Sequence, residues 1–219
     1  DLSGAKVASA GDVNGDGHDD IIIAAPLADP GGATNAGAIY VVFGAAAGRP
    51  ATFNLSSLDG TNGFRLEGVT SFDLSGKSAA SAGDVNGDGF DDLVIGAEGA
   101  SPGGVTDAGS TYVVFGKASG WSATLALSSL NGTNGFRIDG AASGDQSGAS
   151  VSAVDINKDG FSDLIIGALY ADPGGRSSAG STYVVFGKAG IWTPTFALSG
   201  LNGTNGFRLD GEATSDQSG

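Results

Sequence analysis

The sequence contains no cysteine, no methionine and a single histidine among its 219 residues. The absence of cysteine excludes disulfide bonds, thiolate metal sites and a cysteine nucleophile. Lysine and arginine are scarce, ten against 24 aspartate and glutamate residues, so the formal net charge is −14. A chain this acidic does not suit nucleic acid, whose phosphates bind lysine and arginine. No apolar run approaches the length of a bilayer span. We therefore expect neither a nucleic-acid partner nor membrane insertion.

The most informative feature that is present is a nine-residue acidic loop, which occurs three times, at Asp12–Asp20, Asp84–Asp92 and Asp155–Asp163. Each copy has oxygen-bearing side chains at positions 1, 3, 5 and 9 and glycine at position 6. Calcium takes six to eight oxygen ligands, including backbone carbonyls, in flexible geometry. Carboxylates packed this closely repel one another unless a cation lies among them. The pattern predicts one Ca²⁺ in each loop.

The loops belong to a longer repeat, because their spacings of 72 and 71 residues also separate other motifs. Tyr40-Val-Val-Phe-Gly44 recurs at residues 112–116 and 183–187. Such regularity is typical of a tandem array. It predicts units at residues 1–72, 73–144 and 145–219, the last including the start of a fourth repeat. Since the chain lacks a first methionine and begins and ends at one phase of the repeat, we expect it to be a piece of a longer array.

Within each unit the pattern predicts four strands and no sustained helix. A small-residue segment such as Lys6–Ala10 precedes the acidic loop, and short apolar runs such as Ile21–Ile23 and Tyr40–Phe43 follow it. Continuous apolar runs are typical of strands that are covered on both faces. The segment Phe64–Leu66 follows an Asn-Gly pair that favours a tight turn, and we expect it to be the outer strand. The long connection before it, about residues 44–62, is predicted to share one end of the sheet with the acidic loop.

A four-stranded meander with buried inner strands is the unit of a β-propeller, whose blades stack face to face. We therefore predict an all-β fold of three four-stranded antiparallel blades. Propellers close with four to eight blades, so three blades form either a partial propeller or a ring completed by association of chains through their open faces.

The motifs together resemble the FG-GAP repeats of the integrin α-subunit propeller and its bacterial relatives. The resemblance is carried by the loop at residues 83–89, by Asp92-Leu-Val-Ile-Gly-Ala97 and by Gly109-Ser-Thr-Tyr-Val-Val-Phe-Gly116. It covers essentially the whole chain. It implies calcium between the first and second strands of each blade, with a protein or glycan ligand on the opposite face. It also implies an extracellular or cell-surface location, in a bacterium.

Carried over to this sequence, the resemblance assigns five ligands to each loop, four side chains and the carbonyl of the residue at position 7. The first site comprises Asp12, Asn14, Asp16, His18 and Asp20. The second comprises Asp84, Asn86, Asp88, Phe90 and Asp92, and the third comprises Asp155, Asn157, Asp159, Phe161 and Asp163. Position 8 is expected to point away from the ion. Lys158 replaces a glycine at position 4 and is expected to weaken the third site by charge repulsion.

Other interpretations of the loops remain open at the level of sequence. An EF-hand requires glutamate at position 12, where this chain has isoleucine. Asparagine, aspartate and glycine also favour turns that bind no ion. For Trp121 and Trp192 in the long connections, stacking on sugars competes with packing against a blade edge, which is the favoured interpretation. Lys117 and Lys188 are expected to be ordinary surface charges.

Catalysis finds little support in these motifs. His18 has no counterpart in the other units, so no Ser-His-Asp set can be repeated with them. The loops already account for the paired carboxylates that a glycosidase would need. We therefore expect a calcium-binding, non-catalytic module for adhesion, surface scaffolding or ligand recognition. The alternative is a carbohydrate-binding propeller or an accessory domain of a secreted hydrolase or lyase.

Overall fold

The structure is a computed structural model that describes residues 1–46, 48 and 50–219. Residues 47 and 49, which belong to the first long connection predicted above, lie outside the described residues. Within the described part the chain is all-β, with single-turn 3₁₀ helices in the connections. The strands are β1 (Lys6–Gly11), β2 (Asp20–Ala25), β3 (Ala38–Val42), β4 (Gly63–Glu67), β5 (Ser78–Gly83), β6 (Asp92–Ala97), β7 (Ser110–Val114), β8 (Thr124–Ala126), β9 (Gly135–Asp139), β10 (Ser147–Val154), β11 (Asp163–Ala168), β12 (Ser181–Val185), β13 (Thr195–Ala197) and β14 (Gly206–Asp210).

Each repeat forms one antiparallel meander, which confirms the predicted blades. The orders are β1-β2-β3-β4, β5-β6-β7-β9 and β10-β11-β12-β14. The registers of the three blades correspond: Ile23 pairs with Tyr40 in the first blade, Ile95 with Tyr112 in the second and Ile166 with Tyr183 in the third. Because side chains alternate between the two faces of a strand, this register puts the same repeat positions on the same face of every sheet.

Two blades also carry a fifth strand that the sequence pattern did not predict. Strand β8, from the long connection of the second repeat, pairs in parallel with β4 of the first blade. Strand β13, from the third repeat, pairs in the same way with β9 of the second blade. Each is only three residues long, too short for an alternating pattern to be recognised. The long connections of the second and third repeats therefore reach back to the preceding blade.

The hydrophobic core lies between adjacent sheets. One cluster joins Ile22 and Val41 of the first blade to Leu93 and Ile95 of the second. The next cluster joins residues of the second and third blades in the same manner. All six residues of β6, in the middle blade, are buried. This position between two sheets explains the continuous apolar run Leu93–Ile95, since each fully buried aliphatic side chain contributes about 1.5–3 kcal/mol.

The third blade differs from the others just before its acidic loop. In the first two blades the register shifts by a bulge, between Ser9 and Gly11 and between Ser81 and Gly83. In the third blade Val154 pairs with Asp163 directly after Ala153, with no shift at this point. The missing bulge residue accounts for the 71-residue spacing of the second and third loops, against 72 for the first and second.

Candidate metal sites

Each acidic loop connects the first and second strands of its blade, as the sequence predicted. At position 9 of the first loop, the buried Asp20 carboxylate accepts hydrogen bonds from the backbone N–H groups of Val13 (3.1 Å) and Gly44 (2.7 Å). The loop is thereby fixed to the end of β3. Asp92 and Asp163 make the same pair of bonds in the second and third loops.

The side chains at positions 1, 3 and 5 bend the loop around its own backbone. Asp12 accepts hydrogen bonds from the N–H groups of Asp16 (3.0 Å) and Gly17 (2.8 Å). Asn14 accepts one from Asp16 (2.8 Å), and Asp16 accepts one from His18 (2.9 Å). The second and third loops repeat these bonds, at Asp84, Asn86, Asp88, Asp155, Asn157 and Asp159.

Burial makes the carboxylates of Asp20 and Asp92, at position 9 of the first and second loops, costly to ionise. Desolvation is the main cause that raises the pKa of Asp92 to about 8 and that of Asp20 to about 6. For Asp92 the nearby carboxylates of Asp84 and Asp88 add to the rise, while backbone N–H donors oppose it. A cation within the loop would oppose both causes of the rise.

The donor set of each loop suits a hard cation, because it consists of oxygens alone. Gly17, Gly89 and Gly160 at position 6 have φ values of +85°, +88° and +94°, which glycine adopts readily. Across the described residues, however, no three aspartate, glutamate or histidine side chains lie as a group that could hold a metal ion. The carboxylates accept hydrogen bonds from the loop amides.

The acidic loops of neighbouring blades touch one another, a contact that the sequence did not predict. The Asp91 carboxylate, at position 8, accepts a hydrogen bond of 2.8 Å from the N–H of Asp12 in the preceding loop. The Phe90 ring lies on Gly15, where an added Cβ would be 2.5 Å from a ring carbon. The next pair of loops repeats the arrangement, with Ser162 over Gly83 and Phe161 over Gly87. Position 8 therefore serves the contact between loops.

The third loop lacks the residues that would receive another loop in this way. Val154 stands where the first loop has Gly11, and Lys158 stands where it has Gly15. Lys158 keeps the backbone conformation of the glycine, with φ of +62°. Beside it, Ile156 is 49% exposed, whereas the aligned Val13 and Val85 are fully buried. The sequence signal for this contact between loops was glycine at positions 11, 15, 83 and 87, and its replacement by Val154 and Lys158 in the third loop.

The two tryptophans fix the long connections to the preceding blades. Trp121 stacks on Phe64, with ring centroids 4.1 Å apart and an angle of 6° between the planes. Trp192 stacks on Phe136 with the same geometry. These contacts agree with the favoured interpretation of packing against a blade edge. The amine of Lys117 lies 4.8 Å from the Trp121 ring centre, so this lysine is more than the ordinary surface charge we expected. Lys188 lies at the same distance from Trp192.

Over the part of the chain that the structure describes, we find no helix that combines the length and the apolar character of a membrane span.

Comparison with known proteins gives one family. Residues 3–42, 78–114 and 147–185 match the model of the FG-GAP repeat. The chain is 32% identical over 176 residues to the phosphatidylinositol-glycan-specific phospholipase D of Mus musculus, which covers 80% of this chain and 19% of that protein. It is 31% identical over 170 residues to the human protein of the same name, covering 77% of this chain. It is 29% identical over 174 residues to integrin alpha-V of Gallus gallus, covering 74% of this chain and 14% of the integrin. The chain thus spans about a fifth or less of the length of these relatives.

Proposed function

Because the chain belongs to the FG-GAP repeat family, we propose that it is a calcium-binding, non-catalytic module that acts in recognition, adhesion or scaffolding outside the cell. The observation that carries the proposal is the acidic loop, repeated at the same place in all three blades with oxygen at positions 1, 3, 5 and 9. Its hydrogen bonds already bend the chain around positions 1, 3 and 5. Oxygens that accept one N–H group keep a second lone pair for a cation.

Calcium would have two effects in this module. It would neutralise each cluster of carboxylates, and it would hold the turn that places position 8 against the preceding loop. At a free calcium concentration one hundred times the dissociation constant, each site adds about 2.7 kcal/mol to the free energy of unfolding. In an array whose units contact only their neighbours, such a contribution per unit is large.

Calorimetric titration with CaCl₂ tests the proposal, and Asp84→Asn and Asp91→Asn form a matched pair of variants. Both remove one charge from the second loop, but Asp84 is a proposed ligand and Asp91 points to the preceding loop. We expect three ions per chain for the wild type and for Asp91→Asn, and two for Asp84→Asn. Wild-type protein that binds no calcium at millimolar concentration, and whose melting temperature EDTA leaves unchanged, would refute the proposal.

The relatives support a second candidate, an accessory domain of a secreted hydrolase. The matched segment of the mouse phospholipase D is 19% of that protein, so a repeat region of this kind occurs within an enzyme. For the present chain we propose no catalytic residue. His18 has no equivalent in the other blades, and the paired carboxylates belong to the acidic loops.

A ligand is proposed for the end of the blades opposite the acidic loops, where the connections at Pro30–Gly32, Pro102–Gly104 and Pro173–Gly175 lie. Sugar stacking on Trp121 is not favoured, because Phe64 covers one face of its ring. A glycan array and a screen against extracellular matrix proteins would separate the two ligand classes. Binding to neither class would count against the recognition role.

A further inference from the structure

A small pocket of about 190 Å³ lies in the third blade, beside the connection that carries Trp192. Its apolar walls include Val185, Phe186 and Phe196, and its polar walls include Lys188. Pockets that hold drug-sized ligands measure about 300–1,000 Å³. The volume of this pocket therefore suits a smaller ligand.

The second blade has an equivalent pocket of the same volume, about 190 Å³. Val114, Phe115, Lys117 and Trp121 line it, and they align with four wall residues of the third pocket. All of its walls come from residues 88–134 of the second repeat, although the third repeat packs against this blade. The pocket is therefore built by a single repeat, and the following repeat leaves it open.

The two pockets differ in whether their hydrogen-bond donors have acceptors. In the second pocket the amine of Lys117 donates to the carbonyl of Gly120 at 2.9 Å, and the indole N–H of Trp121 donates to the carbonyl of Lys117 at 3.0 Å. In the third pocket the indole N–H of Trp192 is buried and has no partner among the described residues. Within the same described part, the amine of Lys188 makes a contact with the Trp192 ring, at 4.8 Å, but no ion pair. A buried donor without an acceptor is costly.

The two pockets also differ in charge. Asp88 of the acidic loop lines the second pocket, whereas the described wall of the third pocket contains no carboxylate. The hydroxyl groups of Thr193 and Thr204 and the amide of Asn205 donate to acceptors within their own repeat. The donors that remain for a ligand in the third pocket are therefore the ammonium of Lys188 and the indole N–H.

We propose that the pocket of the third blade binds a small carboxylate with an apolar body. The ammonium of Lys188 lies 4.8 Å from the centre of the ring that carries the unpaired N–H, so both donors are near enough for the two oxygens of one carboxylate. Hydrogen bonds to an ionised group are roughly twice as strong as those between neutral groups. The apolar body lies against Phe186 and Phe196 rather than on the Trp192 ring, because Phe136 stacks on that ring.

This pocket is a site additional to those under the proposed function. It contains none of the proposed calcium ligands. It also lies apart from the connection at Pro173–Gly175, at the end of the blade for which we propose the protein or glycan ligand. A negative result at this pocket and a negative calcium titration are therefore independent of each other.

Heteronuclear NMR of the 219-residue chain in calcium-free buffer tests the site, with hydrocinnamate as the probe. The chain has two tryptophans, so it gives two indole N–H signals, and Trp121→Phe identifies which is which. We expect hydrocinnamate to shift the Trp192 signal saturably and to leave the Trp121 signal in place. Hydrocinnamyl alcohol has the same apolar body without the charge, and we expect it to bind at least tenfold more weakly.

A free small acid and the carboxyl terminus of a peptide present the same chemistry to this pocket. Titration with N-acetylphenylalanine distinguishes the two sources, because its carboxylate is placed as at a peptide terminus. Tighter binding than that of hydrocinnamate would assign the pocket to a peptide terminus, and weaker binding would assign it to a free acid.

Lys188→Met and Lys117→Met form a matched pair of variants. Each replaces an ammonium by an apolar group on a flexible stem, but only Lys188 belongs to the proposed site. Lys188 is exposed, so its replacement leaves the fold intact. We expect Lys188→Met to weaken hydrocinnamate binding at least tenfold and Lys117→Met to leave it unchanged.

Three results would overturn the carboxylate site. One is a wild type whose Trp192 indole signal shows no saturable shift with hydrocinnamate. Another is equal affinity for the acid and the alcohol, since the charge would then contribute nothing. The third is equal binding by the Lys188→Met and Lys117→Met variants.

Discussion

The carboxylate of Asp91 accepts a hydrogen bond of 2.8 Å from the backbone N–H of Asp12, 79 residues away in the chain, and so joins two acidic loops. The N–H of Asp91 approaches the carbonyl of Asp12 at 3.3 Å, so the two residues are joined in both directions. A residue outside the proposed set of calcium ligands thereby connects one candidate metal site to the next. The contact has consequences for stability that can be measured.

We expect Asp91→Ala to lower the free energy of unfolding by about 1–2 kcal/mol, because it leaves the N–H of Asp12 without its charged acceptor. Urea unfolding of the wild type and the variant, in the presence of EDTA, measures the loss. The matched control is Asp19→Ala, which removes the aligned carboxylate of the first loop. Asp19 is exposed, so this control should change stability by less than about 0.5 kcal/mol. Equal losses in the two variants would contradict the role of the contact between loops.

We expect Gly87→Ala to destabilise the protein by more than about 2 kcal/mol. Its φ is +77°, where a side chain costs about 1–2 kcal/mol, and its Cβ would lie 2.4 Å from a carbon of the Phe161 ring. Thermal unfolding measures the loss.

The natural counterpart of this substitution provides the control. Lys158 occupies the aligned position in the third loop with φ of +62°, and among the described residues it is exposed rather than covered by another loop. Lys158→Gly should therefore leave stability unchanged or raise it by about 1 kcal/mol. If Gly87→Ala is harmless, the packing of Phe161 on the preceding loop is not required for the stacking of the blades.

The sequence predicted the strands that each repeat forms from its own residues. These strands could be predicted because they are buried. The apolar run Leu93–Ile95 is continuous because sheets cover both of its faces, so its strand could be located without a structure. The parallel strands β8 and β13 could not be located, because three residues carry no usable period and their partners lie in the preceding repeat.

For the candidate sites too, the residues within one loop were predicted and the contacts between loops were not. The positions of Asp12, Asn14, Asp16 and Asp20 in the loop followed from the spacing alone, and calcium in the loop remains a prediction. The Asp91 side chain at position 8 contacts the preceding loop rather than its own. The sequence could not identify the residue that it contacts. That partner lies on another blade, and the contact depends on how the blades stack rather than on the sequence of one repeat.

The stability costs of replacing Trp121 and Trp192 can be compared directly, because their ring contacts are the same. Trp121 and Trp192 stack on phenylalanine with the same distance and angle. The indole N–H of Trp121 donates to the carbonyl of Lys117 at 3.0 Å, whereas the buried indole N–H of Trp192 has no hydrogen-bond partner among the described residues. We therefore expect Trp121→Phe to cost about 1 kcal/mol more than Trp192→Phe. Urea unfolding followed by circular dichroism, which does not depend on the lost fluorophore, measures the difference. Equal costs would mean that the bond to Lys117 contributes nothing.

The final prediction concerns the pH dependence of stability at the turn between the first and second blades. The Asp73 side chain is buried there, and it accepts a hydrogen bond of 2.9 Å from the N–H of Thr70. Burial raises the pKa of Asp73 above its ordinary value of 3.8, although the N–H of Thr70 and the charge of Arg137 oppose the rise. The folded state therefore binds this proton more tightly than the unfolded state does.

The sign of the effect follows from linkage. Below pH 3.8 the carboxyl is protonated in both states and costs nothing. As the pH rises through the raised pKa of the folded state, the ionised form becomes costly to bury, and stability is lost. Asp73→Asn keeps an oxygen that can accept from Thr70 but cannot ionise. We expect it to match the wild type near pH 3 and to be more stable at pH 7.

Asp216→Asn is the matched control, because Asp216 accepts a hydrogen bond of 2.8 Å from the N–H of Ala213 in the aligned turn but is exposed. This variant makes the same exchange of carboxylate for amide at the aligned hydrogen bond, but on an exposed side chain. Urea unfolding at one-unit intervals of pH, in EDTA, gives the difference curves, in which the contributions of the acidic loops cancel. A flat difference curve for Asp73→Asn would show that the buried carboxyl ionises as easily in the folded protein as in the unfolded chain. The hydrogen bond from Thr70 and the charge of Arg137 would then fully offset the cost of burial.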